Sequence, residues 1–130
     1  MALLLVIDEG IDYCSLLQRR LTRQGHKVMT CTREKDALAW LKNQNPDFVI
    51  VSAGRHGERA DRMVSILMEA GLRGEKILLR AGESSLETVK KEFAGRVREV
   101  LPASPEFGFL ESLVSSGPLA ERVRSREKRP

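Results

Sequence analysis

The chain has 130 residues, 42% of them hydrophobic and 31% charged, with a formal net charge of +4. These are ordinary values for a soluble globular protein, enough for one domain with its own core and too few residues for a second. Cys14 and Cys31 match no metal-ligand spacing and are too few for an oxidised framework, so a reducing cytoplasm is the expected compartment. No stretch approaches the roughly 20 apolar residues that span a bilayer, so no membrane association is expected. The positive charge is unevenly placed. From Pro118 onward the chain carries Arg122, Arg124, Arg126, Lys128 and Arg129 against Glu121 and Glu127, and the body before it is almost neutral. The basic pI is therefore a property of the tail.

Leu3–Ile7 is a short apolar run. It lacks a basic n-region, and Asp8-Glu9 follows where a cleavage site would be needed, so it reads as a buried strand. Cys14, Leu17 and Leu21 then form one helical stripe, with Gly25 as its C-terminal stop. Lys27–Cys31 reads as a second, less buried strand. Thr32 is placed to cap a helix with Ala37, Leu38 and Leu41 inward, ended by Asn45-Pro46. Trp40 flanks that stripe as half-buried packing.

Phe48–Val51 is apolar throughout, as expected of a strand covered on both faces. Met63, Ile66, Leu67 and Ala70 mark the next helix, stopped near Gly71. Lys76–Leu79 is a fourth strand, followed by a helix carrying Leu86, Val89 and Phe93, and Val97–Leu101 is a fifth. Ser104-Pro105-Glu106 opens a last helix as N-cap, first-turn proline and early acid. Strict alternation of this kind argues for a parallel sheet with helices on both faces.

The acidic pair Asp8-Glu9 closing the first strand, Gly25-His26-Lys27-Val28 entering the second, and Pro46-Asp47-Phe48-Val49-Ile50-Val51 before residue 52 resemble the receiver domain of bacterial response regulators. The resemblance covers roughly residues 3 to 116. It implies a flavodoxin-like (βα)5 three-layer sandwich with strand order 2-1-3-4-5, residues 1–117 forming the domain and 118–130 a basic tail or linker. It also implies a site at the carboxyl ends of the strands. There the family carries an acidic pair, a phosphoacceptor aspartate, a switch hydroxyl and a lysine, with Mg²⁺ held by the carboxylates.

Mapped onto this chain, the acidic pair is Asp8 and Glu9, the phosphoacceptor position is Ser52, and the switch hydroxyl is replaced by Arg80. The family's lysine position falls at Ser104, or at Ala103 in the alternative spacing. A serine hydroxyl without an adjacent base is a poor nucleophile, and its ester is less labile than an acyl phosphate. Asp8 and Glu9 alone make at best a weak Mg²⁺ site, and both read instead as solvated carboxylates at a strand end. No phosphotransfer, catalytic residue or cofactor is expected.

If Arg80 turns inward, its guanidinium can pair with Asp8 or Glu9 and stand in for both metal and lysine; the other reading is an exposed arginine at a strand end. Ser52 reads as bonded to nearby backbone rather than as a kinase substrate. His56 is a solvated loop side chain and His26 carries no signal. Cys14, on a core stripe, is inert.

The last helix bears Phe107, Phe109, Leu110, Leu113 and Val114, more apolar surface than one core contact needs. The resemblance to receivers, which use the edge formed by helix 4, strand 5 and helix 5 for dimerisation and partner binding, makes that edge the expected interface, to a protein partner or a second copy. The function expected is a phosphorylation-independent signalling module. The alternative is a transcription-associated regulator whose basic tail touches nucleic acid or leads to a DNA-binding output domain. A residual phosphate enzyme ranks last.

Overall fold

Five consecutive apolar residues with no proline or glycine make Leu3–Ile7 a strand (β1) that can be buried on both faces, and all but its first residue are buried. Its entry is fastened from two sides. The Ala2 N–H donates to His26 Nδ1 at 2.9 Å, and the Leu3 N–H donates to Asp47 Oδ2 at 2.8 Å. The computed structural model describes residues 1–103 together with Gly108, Glu111 and Ser112, the last three helical.

Helix α1 (Ile11–Arg23) buries Cys14, Leu17 and Leu21 as the spacing requires, with Asp12 in its first turn and Arg20 and Arg23 in its last. Gly25 turns the chain out at φ +91°, a left-handed conformation that residues with a Cβ rarely adopt. Strand β2 (Lys27–Cys31) follows, mostly exposed or half-buried, and Gln18 donates its side-chain amide to the Val28 carbonyl at 3.2 Å.

Helix α2 (Glu34–Leu41) corrects two expectations. Its N-cap is Arg33 with no side-chain cap bond, not Thr32; Glu34 and Asp36 supply negative charge to the first turn instead. It also stops at Leu41, short of Asn45-Pro46, because Lys42-Asn43-Gln44 offers no apolar side chain to bury.

Strand β3 (Phe48–Ser52) runs one residue further than its apolar stretch. Helix α3 (Ala60–Glu69) buries Ala60, Met63, Val64 and Leu67. The stripe is thus rotated toward Val64, with Ile66 half-buried and Ala70 exposed. Lys76 belongs to a short 3-10 turn rather than to β4 (Ile77–Ala81), which ends two residues later than its apolar pattern.

Helix α4 (Leu86–Phe93) buries Val89 and Phe93. Strand β5 (Glu99–Pro102) starts two residues later than expected, because the Val97 N–H still points back to the Phe93 carbonyl of α4. Pairing begins when the Arg98 N–H meets the Ile77 carbonyl at 2.9 Å. Pro102 closes the strand, since it has no N–H to donate.

The five strands form one parallel sheet in the order β2-β1-β3-β4-β5. One face packs Leu5, Ile7, Val49, Val51 and Leu79 against α2, α3 and α4, with Trp40 half-buried at its margin. The other packs Leu4, Val6, Ile50 and Leu78 against α1. After β1 the chain moves to one side, and after β2 it returns to the other. The strand order therefore reverses between β1 and β3, and side chains at their carboxyl ends are left facing a crevice.

His26, unremarkable in the sequence, is 6% exposed. Burial lowers its pKa from 6.5, and the positive N-terminus adds to this. Accepting the Ala2 N–H at Nδ1 needs the neutral ring, so the unfolded chain binds the proton more readily than the folded one. Stability from this residue is complete above about pH 6.5 and is lost as pH falls below that value. Urea midpoints measured from pH 8 to about pH 5 should fall on the acid side, and His26→Gln should flatten part of that fall.

Candidate functional site

The ladder brings three sequence-selected positions into line. Ile7 pairs with Val51, so Asp8 stands one step beyond, beside Ser52; Ser52 in turn pairs with Arg80. Because β3 lies between β1 and β4, Asp8 and Arg80 sit about 10 Å apart along the sheet, two strand spacings. An arginine can bridge that gap only by laying its side chain across the end of β3. A serine at 52 leaves room for it.

The structure turns Arg80 inward in this way. Its Nε and Nη2 both donate to Asp8 Oδ2, at 3.0 and 2.6 Å. The side chains are 14% and 5% exposed, so the pair is shielded from water, and Asp8 is not the solvated carboxylate expected at a strand end. The remaining oxygen, Asp8 Oδ1, accepts the Gly10 N–H at 2.9 Å, the turn that starts α1. Arg80 Nη1 donates to the Ala103 carbonyl at 3.1 Å, and its guanidinium carbon lies 3.8 Å from the Tyr13 ring centre.

The neighbouring groups follow from this arrangement. Burial pushes the Tyr13 phenol up to about 12, against an opposing pull from Arg80. Burial, with Asp8 adding to it, raises the Cys14 thiol to about 11, so it stays protonated and unreactive at neutral pH. Ser52 is half-buried, and its Oγ accepts the Gly54 N–H at 3.2 Å. Glu9 does not join the Arg80 pair. It points to solvent and is bonded by Arg59, an exposed pair of small energetic weight.

His56 is exposed in the loop after β3, and its backbone N–H donates to Glu58 Oε1 at 3.2 Å. That loop is packed against the one after β4. A Cβ on Gly82 would come within 2.5 Å of the Arg55 carbonyl oxygen, so only glycine fits there.

Sequence reasoning singled out Asp8, Glu9, Ser52 and Arg80; of these, Asp8 and Arg80 are bonded, and Ser52 lies between them. It missed Tyr13, Arg59 and the Ala103 carbonyl. Tyr13 was accessible, since it precedes Leu17 by one helical turn on the face toward the sheet. The carbonyl was not, because a backbone acceptor has no sequence signature. Ser104, Phe107, Phe109, Leu110, Leu113 and Val114 lie outside the described residues. On α4 the outward residues Glu87, Lys90, Lys91 and Glu92 are charged, and Glu111 is bonded by Arg20 (2.6 Å) and by Gln24 of the α1 side.

No family model matches the chain. Over 104 residues, 72% of the chain, it is 28% identical to the transcriptional regulatory protein AfsQ1 of Streptomyces coelicolor, and it spans 46% of that protein's length. The fold is similar to the response regulator TrrA of Thermotoga maritima, solved with Mg²⁺ and BeF (TM-score 0.70, 20% identity, covering 88% of this chain and 97% of that one). It is also similar to an adenylate cyclase of Rhodopirellula baltica (TM-score 0.73, 18% identity, covering 98% of both chains). At these identities the solved structures speak to the fold, which is the flavodoxin-like fold of response-regulator receivers.

A divalent cation of the kind receivers use does not fit the donors present. Both Asp8 oxygens are engaged, Glu9 is bonded by Arg59, and Ser52 supplies no carboxylate. Among the described residues, no group of three His, Cys, Asp or Glu side chains could hold a metal ion.

Removing one partner of a buried ion pair strands the other charge. Arg80→Ala should therefore lower unfolding free energy in urea by about 3 kcal/mol or more. Glu9→Gln, on the exposed pair, should change it by less than about 1 kcal/mol.

Proposed function

We propose that the chain is a regulatory module of receiver fold that acts through protein–protein contact and does not depend on phosphorylation. One observation carries this reading: the guanidinium of Arg80 is bonded to Asp8 in the crevice where a receiver would place its metal and phosphoryl group. Arginine keeps its proton under all ordinary conditions, so the positive charge is permanent where a receiver's is acquired. Ser52 removes the acyl-phosphate chemistry at the same place. Such a module is non-enzymatic, and its output is a fixed surface.

The partner is a second protein or a second copy of the chain, met along the edge of α4, β5 and the last helix. The described part of that edge is charged, with Glu87, Lys90, Lys91 and Glu92 facing out, which favours an oriented, salt-sensitive contact over a greasy one. Among the described residues no helix is long and apolar enough to cross a membrane.

A second reading draws on AfsQ1, a transcriptional regulatory protein of which this chain spans 46%. Here the module serves transcription, and the Arg-rich segment after Gly117 touches nucleic acid or joins an output domain.

Addition of Mg²⁺ with beryllofluoride should leave the amide NMR spectrum around residues 8, 52 and 80 unchanged, and incubation with a small phosphodonor should add no mass. Saturable shifts at those residues, or a phosphoryl adduct, would overturn the reading. Trp40 is a poor reporter for this purpose, since it packs on α2 against the far core. For the second reading, a DNA gel shift that weakens with salt and vanishes when residues 118–130 are removed is the expected result.

A further inference from the structure

The crevice does more than neutralise a carboxylate. Arg80 spends two N–H groups on Asp8 and a third on the Ala103 carbonyl, 3.1 Å away, the first residue after β5. Pro102 just before it has no N–H, so the β4–β5 ladder cannot continue and the chain is free to turn toward the crevice. Tyr13 lies against the guanidinium from the α1 side and limits its swing. One planar group therefore joins the end of β1, the first turn of α1, the end of β4 and the exit from β5.

We infer that Arg80 is a latch that holds the exit of β5, Pro102-Ala103, to the crevice, so that the Asp8 pair and the hold on Ala103 are a single coupled state. The directional argument is the fork of the guanidinium. Its N–H groups radiate in one plane at fixed angles, so seating Nε and Nη2 on Asp8 aims Nη1 at one point only. Losing Asp8 leaves the guanidinium unaimed, and the bond to Ala103 goes with it. Ser52 is part of the device by being small: an aspartate there would offer Arg80 a nearer carboxylate and draw it away from Asp8. The substitutions at 52 and 80 thus belong together. The inference concerns contacts within the chain and stands whichever way the phosphodonor experiment falls.

Hydrogen exchange read by NMR at the backbone amides of residues 99–103, without Mg²⁺ or phosphodonor, tests it. Asp8→Asn and Arg80→Lys should each speed exchange at these amides by about tenfold, the order expected for losing a charge-assisted hydrogen bond. Amides of α2 and α3 should stay at wild-type rates, and Ser52→Ala, which removes the acceptor of the Gly54 N–H, should leave residues 99–103 at wild-type rates. Arg80→Lys is the discriminating variant, because an ammonium can still neutralise Asp8 but lacks the fork that reaches Ala103. If single variants fail to fold, Asp8→Asn with Arg80→Met strands no charge and keeps the comparison. Wild-type exchange at 99–103 in folded Arg80→Lys or in the folded double variant would overturn the latch. So would acceleration spread evenly over α2 and α3.

Discussion

A carboxylate at the end of a central strand, 5% exposed, must be compensated or the fold loses more than a surface charge could return. Asp8 is compensated on both oxygens, by a backbone N–H of its own turn and by two N–H groups of Arg80. The rest of the crevice is arranged around that requirement. Helix α1 begins where Asp8 Oδ1 holds Gly10, Tyr13 covers the guanidinium, and Ser52 leaves the path open. A receiver meets the same electrostatic demand with a divalent ion taken from solution; here it is met by a side chain of the protein itself.

The two acidic neighbours show how position decides energy. Asp8 and Glu9 are adjacent in sequence, and each is bonded by an arginine. Asp8 points into the crevice, where the low dielectric makes its partner costly to remove. Glu9 points outward, where water screens the Arg59 contact. Counting both as one acidic pair, as a motif does, conceals this difference.

Most of the architecture was legible in the pattern of apolar runs. β1 and β2 were placed to the residue, and the buried stripes of α1 and α4 follow from helical spacing. The errors fall where local polar chemistry overrides periodicity. A polar run cut α2 at Leu41, α3 rotated toward Val64, and Val97 bonded back to α4 instead of opening β5. At the site, the sequence named the acidic and basic side chains and the inward pairing of Arg80 with Asp8 or Glu9 as one of two readings, but the choice between the readings was not legible. It depends on strand register and on a backbone carbonyl, neither of which leaves a residue-level mark.

Both margins of the sheet are blunted. At β2 the Val28 carbonyl is taken by Gln18, and at β5 the strand is only four residues long and ends in proline. Such borders offer a passing extended chain few free backbone groups to pair with. Recognition by strand addition is disfavoured at the β5 margin, and so is the edge-to-edge stacking from which fibrils grow. At that margin a partner is met through side chains on helices and loops.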